Sequence, residues 1–175
     1  MEKNQIETQV TALLKEYGYV FDKDDYVNIV DFVQHLGFIV GNARLDDRED
    51  GFLAIQASSM AKNGDDTSND KIIGVNSMRS LDWKRFIIAH EFAHFVLHYK
   101  SGEIYLHREN KKGKDDEEND ADYFAAALLM PKESFQRLYR QFKESGLNDT
   151  AISLQLAAVF KVPFDSVSRR IGEVF

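Results

Sequence analysis

Residues 86–97 read Phe-Ile-Ile-Ala-His-Glu-Phe-Ala-His-Phe-Val-Leu, an apolar segment that contains the pattern His-Glu-x-x-His. The apolar flanks predict a central, buried helix, which we expect to run from about Leu81 to Tyr99. Two histidines and a glutamate in a buried helix cost free energy unless each has a partner. The alternative without a metal is a pair of histidines on one helix face, one of them buried and hydrogen-bonded. A metal ion would satisfy all three side chains, so we interpret the pattern as a metal-binding helix.

His90 and His94 are four residues apart, which places them about 40° apart around a helix and one turn along it. Two imidazoles at this spacing can bind one ion at roughly 2.0–2.1 Å. Glu91 adjoins the first ligand, so we expect its carboxylate to contact a water molecule on the metal rather than the metal. Zinc lowers the pKa of such a water towards about 7, and a carboxylate can then carry its proton to a leaving amine. The pattern thus predicts His90 and His94 as metal ligands and Glu91 as the catalytic base.

A catalytic zinc site needs a third protein ligand, and the chain has no cysteine to supply it. The remaining candidates are His98, His107 and the carboxylates of residues 115–122. His98 continues the four-residue spacing, but one straight helix cannot wrap three ligands around a tetrahedral ion. We therefore expect a structural role for His98 near the helix end. His107 falls in a predicted edge strand, where it is either simply exposed or directed towards substrate.

A carboxylate at the start of the next helix is the favoured third ligand. Glu118 and Asp122 are four residues apart and therefore share one helix face. In this arrangement Glu118 binds the metal, and Asp122 accepts a hydrogen bond from the outer nitrogen of a ligand histidine, which such histidines usually require. Periodicity alone leaves Glu117 and Asp120 open as alternative ligands.

The rest of the chain predicts helices, then a small sheet, then helices again, which is the α+β class. Predicted helices span about 5–17, 81–99, 121–130, 132–144, 149–160 and 165–174, with another between Asp24 and Gly37, and predicted strands span 38–40, 52–55, 71–75 and 104–106. We expect a small antiparallel sheet, with 38–40 and 52–55 as partners, packed on the central His-Glu-x-x-His helix. The dense charge run at 109–120 predicts a solvated loop.

The chain divides into two predicted parts. Residues 1–131 are predicted to form the catalytic core, and residues 132–175 a C-terminal helical subdomain with spacing like that of a helix-turn-helix. A chain of this length can bury roughly 70% of its unfolded surface, so it needs no disulfide to fold. We expect the helical subdomain to pack on the core.

The charge balance disfavours broad electrostatic binding to nucleic acid. Lys and Arg total 22 against 29 Asp and Glu, which gives a net charge of −7, and such a field repels phosphate backbones. No window approaches the 18 consecutive apolar residues of a membrane span. The first residues also lack a signal peptide's basic start and apolar run. We therefore expect a cytoplasmic protein that binds neither membrane nor nucleic acid directly.

Three segments resemble the ImmA/IrrE-type metallopeptidases. Residues 83–98, WKRFIIAHEFAHFVLH, are similar to the family's Arg-x-x-x-Ala before His-Glu-Leu-x-His with a further His four residues on. Residues 118–131, ENDADYFAAALLMP, are similar to its Glu-x-x-Ala-Asn-x-Phe-Ala-Ala-x-Leu-Leu-Met-Pro, and residues 156–171 resemble its C-terminal helical segment. The resemblance implies a thermolysin-like, zincin-type minimal fold with one zinc ion per chain and Glu118 as third ligand. Asp122 in place of the usual Asn and Phe92 in place of Leu are the two departures.

The resemblance also implies a biological setting. Family members are typically bacterial or phage-borne, and several cleave or inactivate a partner transcriptional repressor. We therefore expect a zinc metalloendopeptidase whose substrate is a regulatory protein such as a helix-turn-helix repressor.

The alternative is a DNA-binding or protein-binding regulator whose zinc site is silent or needs activation. Segment 149–172 has helix-turn-helix spacing, with Lys161, Arg169 and Arg170 available for phosphate. We favour simple packing of these helices on the core, because a helix pair with few cations binds DNA weakly within an acidic chain.

The sequence leaves open which group stabilises the oxyanion. Tyr105, His107 and Tyr123 are the candidates for substrate or oxyanion contacts, and zinc itself can also serve. The polar loop at 57–70 and the charged loop at 108–117 are candidate lids or binding elements.

Overall fold

Seven α-helices and four β-strands form from the residues that the computed structural model describes, which are 1–21, 23–56, 70–100, 105–108 and 116–175. In chain order they are α1 (Lys3–Tyr17), α2 (Ile29–His35), β1 (Phe38–Ala43), β2 (Gly51–Gln56), β3 (Asp70–Asn76), α3 (Leu81–His98), β4 (Tyr105–Arg108), α4 (Asp116–Leu129), α5 (Lys132–Glu144), α6 (Asp149–Phe160) and α7 (Phe164–Val174). The predicted α+β class is confirmed. Among the described residues, no helix combines the length and apolar character needed to span a bilayer.

The four strands form one mixed sheet in the order β1-β3-β2-β4. β3 pairs in parallel with β1, with Phe38 opposite Lys71, and antiparallel with β2, with Leu53 opposite Ile73. The expectation of an all-antiparallel sheet with β1 and β2 as neighbours is therefore wrong. β3 is buried without a break over its second half, as suits a central strand, whereas β1 is exposed at half of its positions, as suits an edge.

One face of the sheet packs against α3. The inward side chains of β2 and β3 are Leu53, Ile55, Ile73 and Val75, each at most 3% exposed. Phe92 of α3 is buried and makes edge-to-face contacts with the rings of Phe32 and Phe38, 5.5 and 5.6 Å between centroids. An aromatic ring at this position therefore joins α2, β1 and α3 in one apolar core.

Gly51 begins β2 at a point where the strand closely approaches α3. A Cβ atom on Gly51 would overlap the Ile87 Cγ2 methyl and would lie 2.9 Å from the Gly74 carbonyl oxygen. The same Cβ would lie 3.5 Å from Glu91 Oε1. Any larger residue would therefore press on the turn of α3 that carries Glu91, and glycine leaves space beside this carboxylate oxygen.

α4 begins earlier than the charge pattern suggests. Residues 116–120, expected to belong to a solvated loop, form the first turns of α4, while residues 109–115 lie outside the described residues. Three acidic residues occupy its first turn, where the partial positive charge of a helix N-terminus stabilises carboxylates. From Ala121 to Leu129 every residue of α4 is buried, and this apolar segment packs against α3.

Arg170 attaches α7 to the rest of the molecule. Its side chain is fully buried; Nε donates to the Met130 carbonyl at 3.1 Å and Nη1 donates to Glu7 Oε1 at 2.7 Å. Helix α7 is thereby joined to the end of α4 and to α1. The division at residue 131 into a catalytic core and a helical subdomain stays a prediction, as does the zincin-type classification.

Candidate metal centre

Helix α3 carries three of the predicted site residues in its buried second half. Its N-terminus is capped by Ser80, whose hydroxyl accepts a hydrogen bond from the Trp83 amide. His90, Glu91 and His94 are 4%, 0% and 1% exposed. Polar side chains buried to this degree require partners, and the partners come from α4 and β4.

Glu118 of α4 meets both histidines. The two imidazole Nε2 atoms of His90 and His94 are 3.1 Å apart, and the Glu118 oxygens lie 3.2 Å from His90 Nε2 and 3.4 Å from His94 Nε2. Ligand atoms placed at about 2.0–2.1 Å from a tetrahedral zinc ion are separated by roughly 3.4 Å. These three residues therefore form a group that can hold a metal ion, and their donor types and spacing suit zinc.

Asp122 lies one turn further along α4 and fixes the ring of His90. His90 Nδ1 donates to Asp122 Oδ1 at 3.0 Å, which leaves Nε2 directed at the cluster. Arg169 of α7 donates from Nη1 to the other oxygen, Oδ2, also at 3.0 Å. The sequence offered Arg169 only as a phosphate contact, and a separation of 47 residues gave no signal for this ion pair.

His107 of β4 bridges two carboxylates of the cluster. Its Nδ1 contacts Glu91 Oε2 at 3.0 Å and its Nε2 contacts Glu118 Oε1 at 2.9 Å, while its ring stacks on that of His94 with 3.6 Å between centroids. Burial opposes protonation of His107, but the two carboxylates outweigh it and raise its pKa to about 9. Both nitrogens can therefore donate, one to each carboxylate.

The Glu91 carboxylate is left with one oxygen unused. Oε2 accepts from His107, whereas the buried Oε1 accepts no hydrogen bond from any of the described residues. An unpaired buried carboxylate oxygen costs free energy unless water, substrate or an ion contacts it. Oε1 is thus the oxygen of Glu91 that is left available for water or substrate.

Charges within the cluster shift the pKa values of the three candidate ligands. Burial disfavours protonation of His90, but its hydrogen bonds with Asp122 and Glu118 outweigh burial and raise its pKa to about 10. Burial lowers the pKa of His94. Hydrogen bonds from His107, His90 and His94 hold the pKa of Glu118 well below its usual range. A cation bound at His90 must displace a proton, so its affinity is expected to fall as the pH falls.

Two tyrosines named with the site lie on different sides of α4. Tyr105 shares a strand face with His107, and burial together with the nearby Glu117 and Glu91 raises its pKa to about 12, so its hydroxyl stays a donor. Tyr123, by contrast, donates to Glu7 at 2.9 Å beneath Arg170. The structure does not bring Tyr123 to the histidines.

The remaining expectations concern the helix end and the loops. His98 Nε2 contacts the Glu117 carbonyl at 3.3 Å, a contact between α3 and α4 rather than a place among the ligand atoms. Of the two predicted lids, residues 57–69 and 109–115 lie outside the described residues.

Comparison with known proteins identifies a family and shows a likeness to solved structures. The model of the IrrE N-terminal-like domain, Peptidase_M78, matches residues 23–172. Among solved structures, a Mycobacterium tuberculosis transcriptional regulator is similar with a TM-score of 0.54 at 15% identity, over 95% of this chain and 46% of that one. This chain spans less than half the length of that regulator, and the likeness concerns the fold alone. No curated protein sequence matches the chain.

Proposed function

Since the chain belongs to the IrrE N-terminal-like family, Peptidase_M78, we propose that it is a zinc-dependent metalloendopeptidase that hydrolyses a peptide bond in a partner regulatory protein. One observation carries the proposal: His90, His94 and Glu118 converge beside a glutamate with a free, buried oxygen. One zinc ion per chain is the proposed cofactor. A transcriptional repressor is the proposed substrate, and this part rests on the resemblance to the ImmA/IrrE-type peptidases.

Each residue of the cluster has a distinct part in the proposed reaction. His90, His94 and Glu118 would hold zinc, and Asp122 keeps His90 in the tautomer that presents Nε2. When bound, zinc supplies a Lewis acid that acidifies water and polarises the scissile carbonyl. Glu91 Oε1 accepts the proton of the attacking water and then delivers it to the leaving amine. Burial of Glu91 excludes competing solvent from this transfer.

His107 is the proposed positioning group for the base. Its Nδ1 holds Glu91 Oε2, so the carboxylate presents Oε1 without rotating. Among the three candidates for substrate or oxyanion contacts, the geometry favours His107, with Tyr105 next to it on the same strand face. Tyr123 is not proposed for this role, because its hydroxyl donates to Glu7.

Replacing His107 is expected to lower kcat with zinc content unchanged. His107→Ala should cost roughly 10–100-fold, the usual effect of removing a group that orients a site residue. His107→Asn places an amide nitrogen near the Nδ1 position and should recover part of kcat, whereas His107→Gln restores only the contact with Glu118. Equal kcat for the Asn and Gln variants would contradict the positioning role.

Zinc analysis joined to a cleavage assay tests the proposed function. Purified protein should contain about one zinc per chain by inductively coupled plasma mass spectrometry. It should cleave an unfolded test polypeptide, lose this activity with 1,10-phenanthroline and regain it with added zinc. Absence of bound zinc after zinc is supplied would exclude the peptidase.

The contacts of the three C-terminal cations argue against the alternative of a DNA-binding regulator. Lys161 lies over the Tyr26 ring at 3.9 Å, Arg169 is paired with Asp122, and Arg170 is fully buried. The three cations that the sequence offered to phosphate therefore have partners within the chain. A regulator of this class would show DNA binding that weakens steeply with salt, which we do not expect here.

A further inference from the structure

Asp122 is held from both sides by residues of two other helices. Its Oδ1 accepts from His90 on α3 and its Oδ2 accepts from Arg169 on α7, each at 3.0 Å. We propose that Arg169 is a positioning residue of the metal centre, which orients Asp122 and through it His90. The proposal rests on the zinc-binding function proposed above and extends the site to the C-terminal helix.

A donor on the second oxygen of Asp122 has a physical effect on its carboxylate. Its side chain is only 10% exposed, and Glu91 and Glu118 add two further carboxylates to the same cluster. A carboxylate held through one oxygen can rotate about its last bond and lose its aim at the imidazole. A donor on the second oxygen fixes the plane of the group and offsets its negative charge.

Arg170, the next residue along α7, holds Arg169 in the position from which it contacts Asp122. Arg170 fixes α7 through its contacts with Met130 and Glu7, so the backbone that carries Arg169 has a set position beside α4. The Arg169 side chain itself is 53% exposed. An ion pair with one exposed partner contributes little to folding stability, so the effect of Arg169 is expected in the metal site rather than in the fold.

Zinc affinity, measured by competition with a chromogenic chelator, tests the proposal on the full chain. Arg169→Gln should weaken zinc binding by about tenfold, the lower end of the effect of losing a group that orients a ligand histidine. Arg169→Lys keeps a charged donor and should recover part of the loss. Arg140→Gln is the matched control, because Arg140 is exposed on α5 and has no ion pair among the described residues. The melting temperatures of all these variants should agree with the wild type in the absence of zinc.

A double variant separates positioning from a general structural effect. Asp122→Ala alone should weaken zinc more than Arg169→Gln, and adding Arg169→Gln to it should change nothing further, because Arg169 acts through Asp122. Zinc affinity of Arg169→Gln equal to that of the Arg140→Gln control would overturn the inference and leave the peptidase proposal standing. Additive losses in the double variant would also overturn it. A wild type that binds no zinc would overturn both proposals together.

Discussion

Glu91→Gln is expected to retain fold and zinc and to lose hydrolysis by roughly 10²–10⁴-fold, the contribution of a well-placed general base. Glutamine has nearly the same shape, and its carbonyl oxygen can still accept from His107 Nδ1. The amide cannot accept a proton from water, however, and the position of the free Oε1 would be taken by a donor. The measurement is kcat on a cleaved polypeptide, with zinc content determined on the same preparation.

A shorter carboxylate provides the control for Glu91. Glu91→Asp keeps the chemistry but withdraws the oxygens by one methylene, so its kcat should lie between those of the wild type and Glu91→Gln. Full activity of a zinc-loaded Glu91→Gln protein would exclude Glu91 as the base and require another proton acceptor in the cluster.

Glu118→Ala is expected to lose zinc, with an affinity lower by more than roughly 100-fold, because two histidines alone leave a catalytic zinc short of its third ligand. His94→Ala should behave in the same way. A ligand that binds only the folded state also raises its melting temperature. Zinc should therefore stabilise the wild type against heat and leave both variants unchanged, which thermal unfolding with and without zinc would measure.

The adjacent glutamate gives a matched control for this experiment. Glu117 lies in the same first turn of α4, but its side chain is exposed, and we expect Glu117→Ala to keep about one zinc per chain. This pair also tests Glu117, which is one of the two alternative ligands that helical periodicity left open. Zinc retained in Glu118→Ala but lost in Glu117→Ala would move the third ligand to Glu117.

Local sequence patterns were sufficient for the helix that carries His90 and for the buried part of α4, but they assigned the first turns of α4, residues 116–120, to a loop. The four-residue spacing of Glu118 and Asp122 places both on one face of α4, and the structure brings both to the histidines. Residue type alone did not show whether Tyr123 belongs to the site. Helix geometry excludes it, because one residue along a helix turns the side chain by about 100°, away from the face of Asp122. In a β-strand, side chains two residues apart point to the same face, so Tyr105 and His107 share one face of β4.

Long-range pairings account for what the sequence did not predict. The order of strands within a sheet depends on pairings between distant segments. The local patterns of β1, β2 and β3 therefore did not predict that β3 lies between the other two. The ion pair of Arg169 with Asp122 joins residues from two helices without a shared motif. Neither the strand order nor this ion pair produces a periodic pattern in the sequence of the segments involved.

The central place of β3 sets the order in which the molecule can assemble during synthesis. β1 and β2 leave the ribosome before β3, and each pairs with β3 in the sheet. Neither strand therefore has this partner until residues 70–76 have emerged. The metal ligands come later still, with Glu118 following both histidines, and Arg169 arrives last. Pairings of such sequence separation fold slowly and expose strand edges while they wait. The nascent chain is therefore expected to be most vulnerable to aggregation and proteolysis between the synthesis of β2 and that of α4.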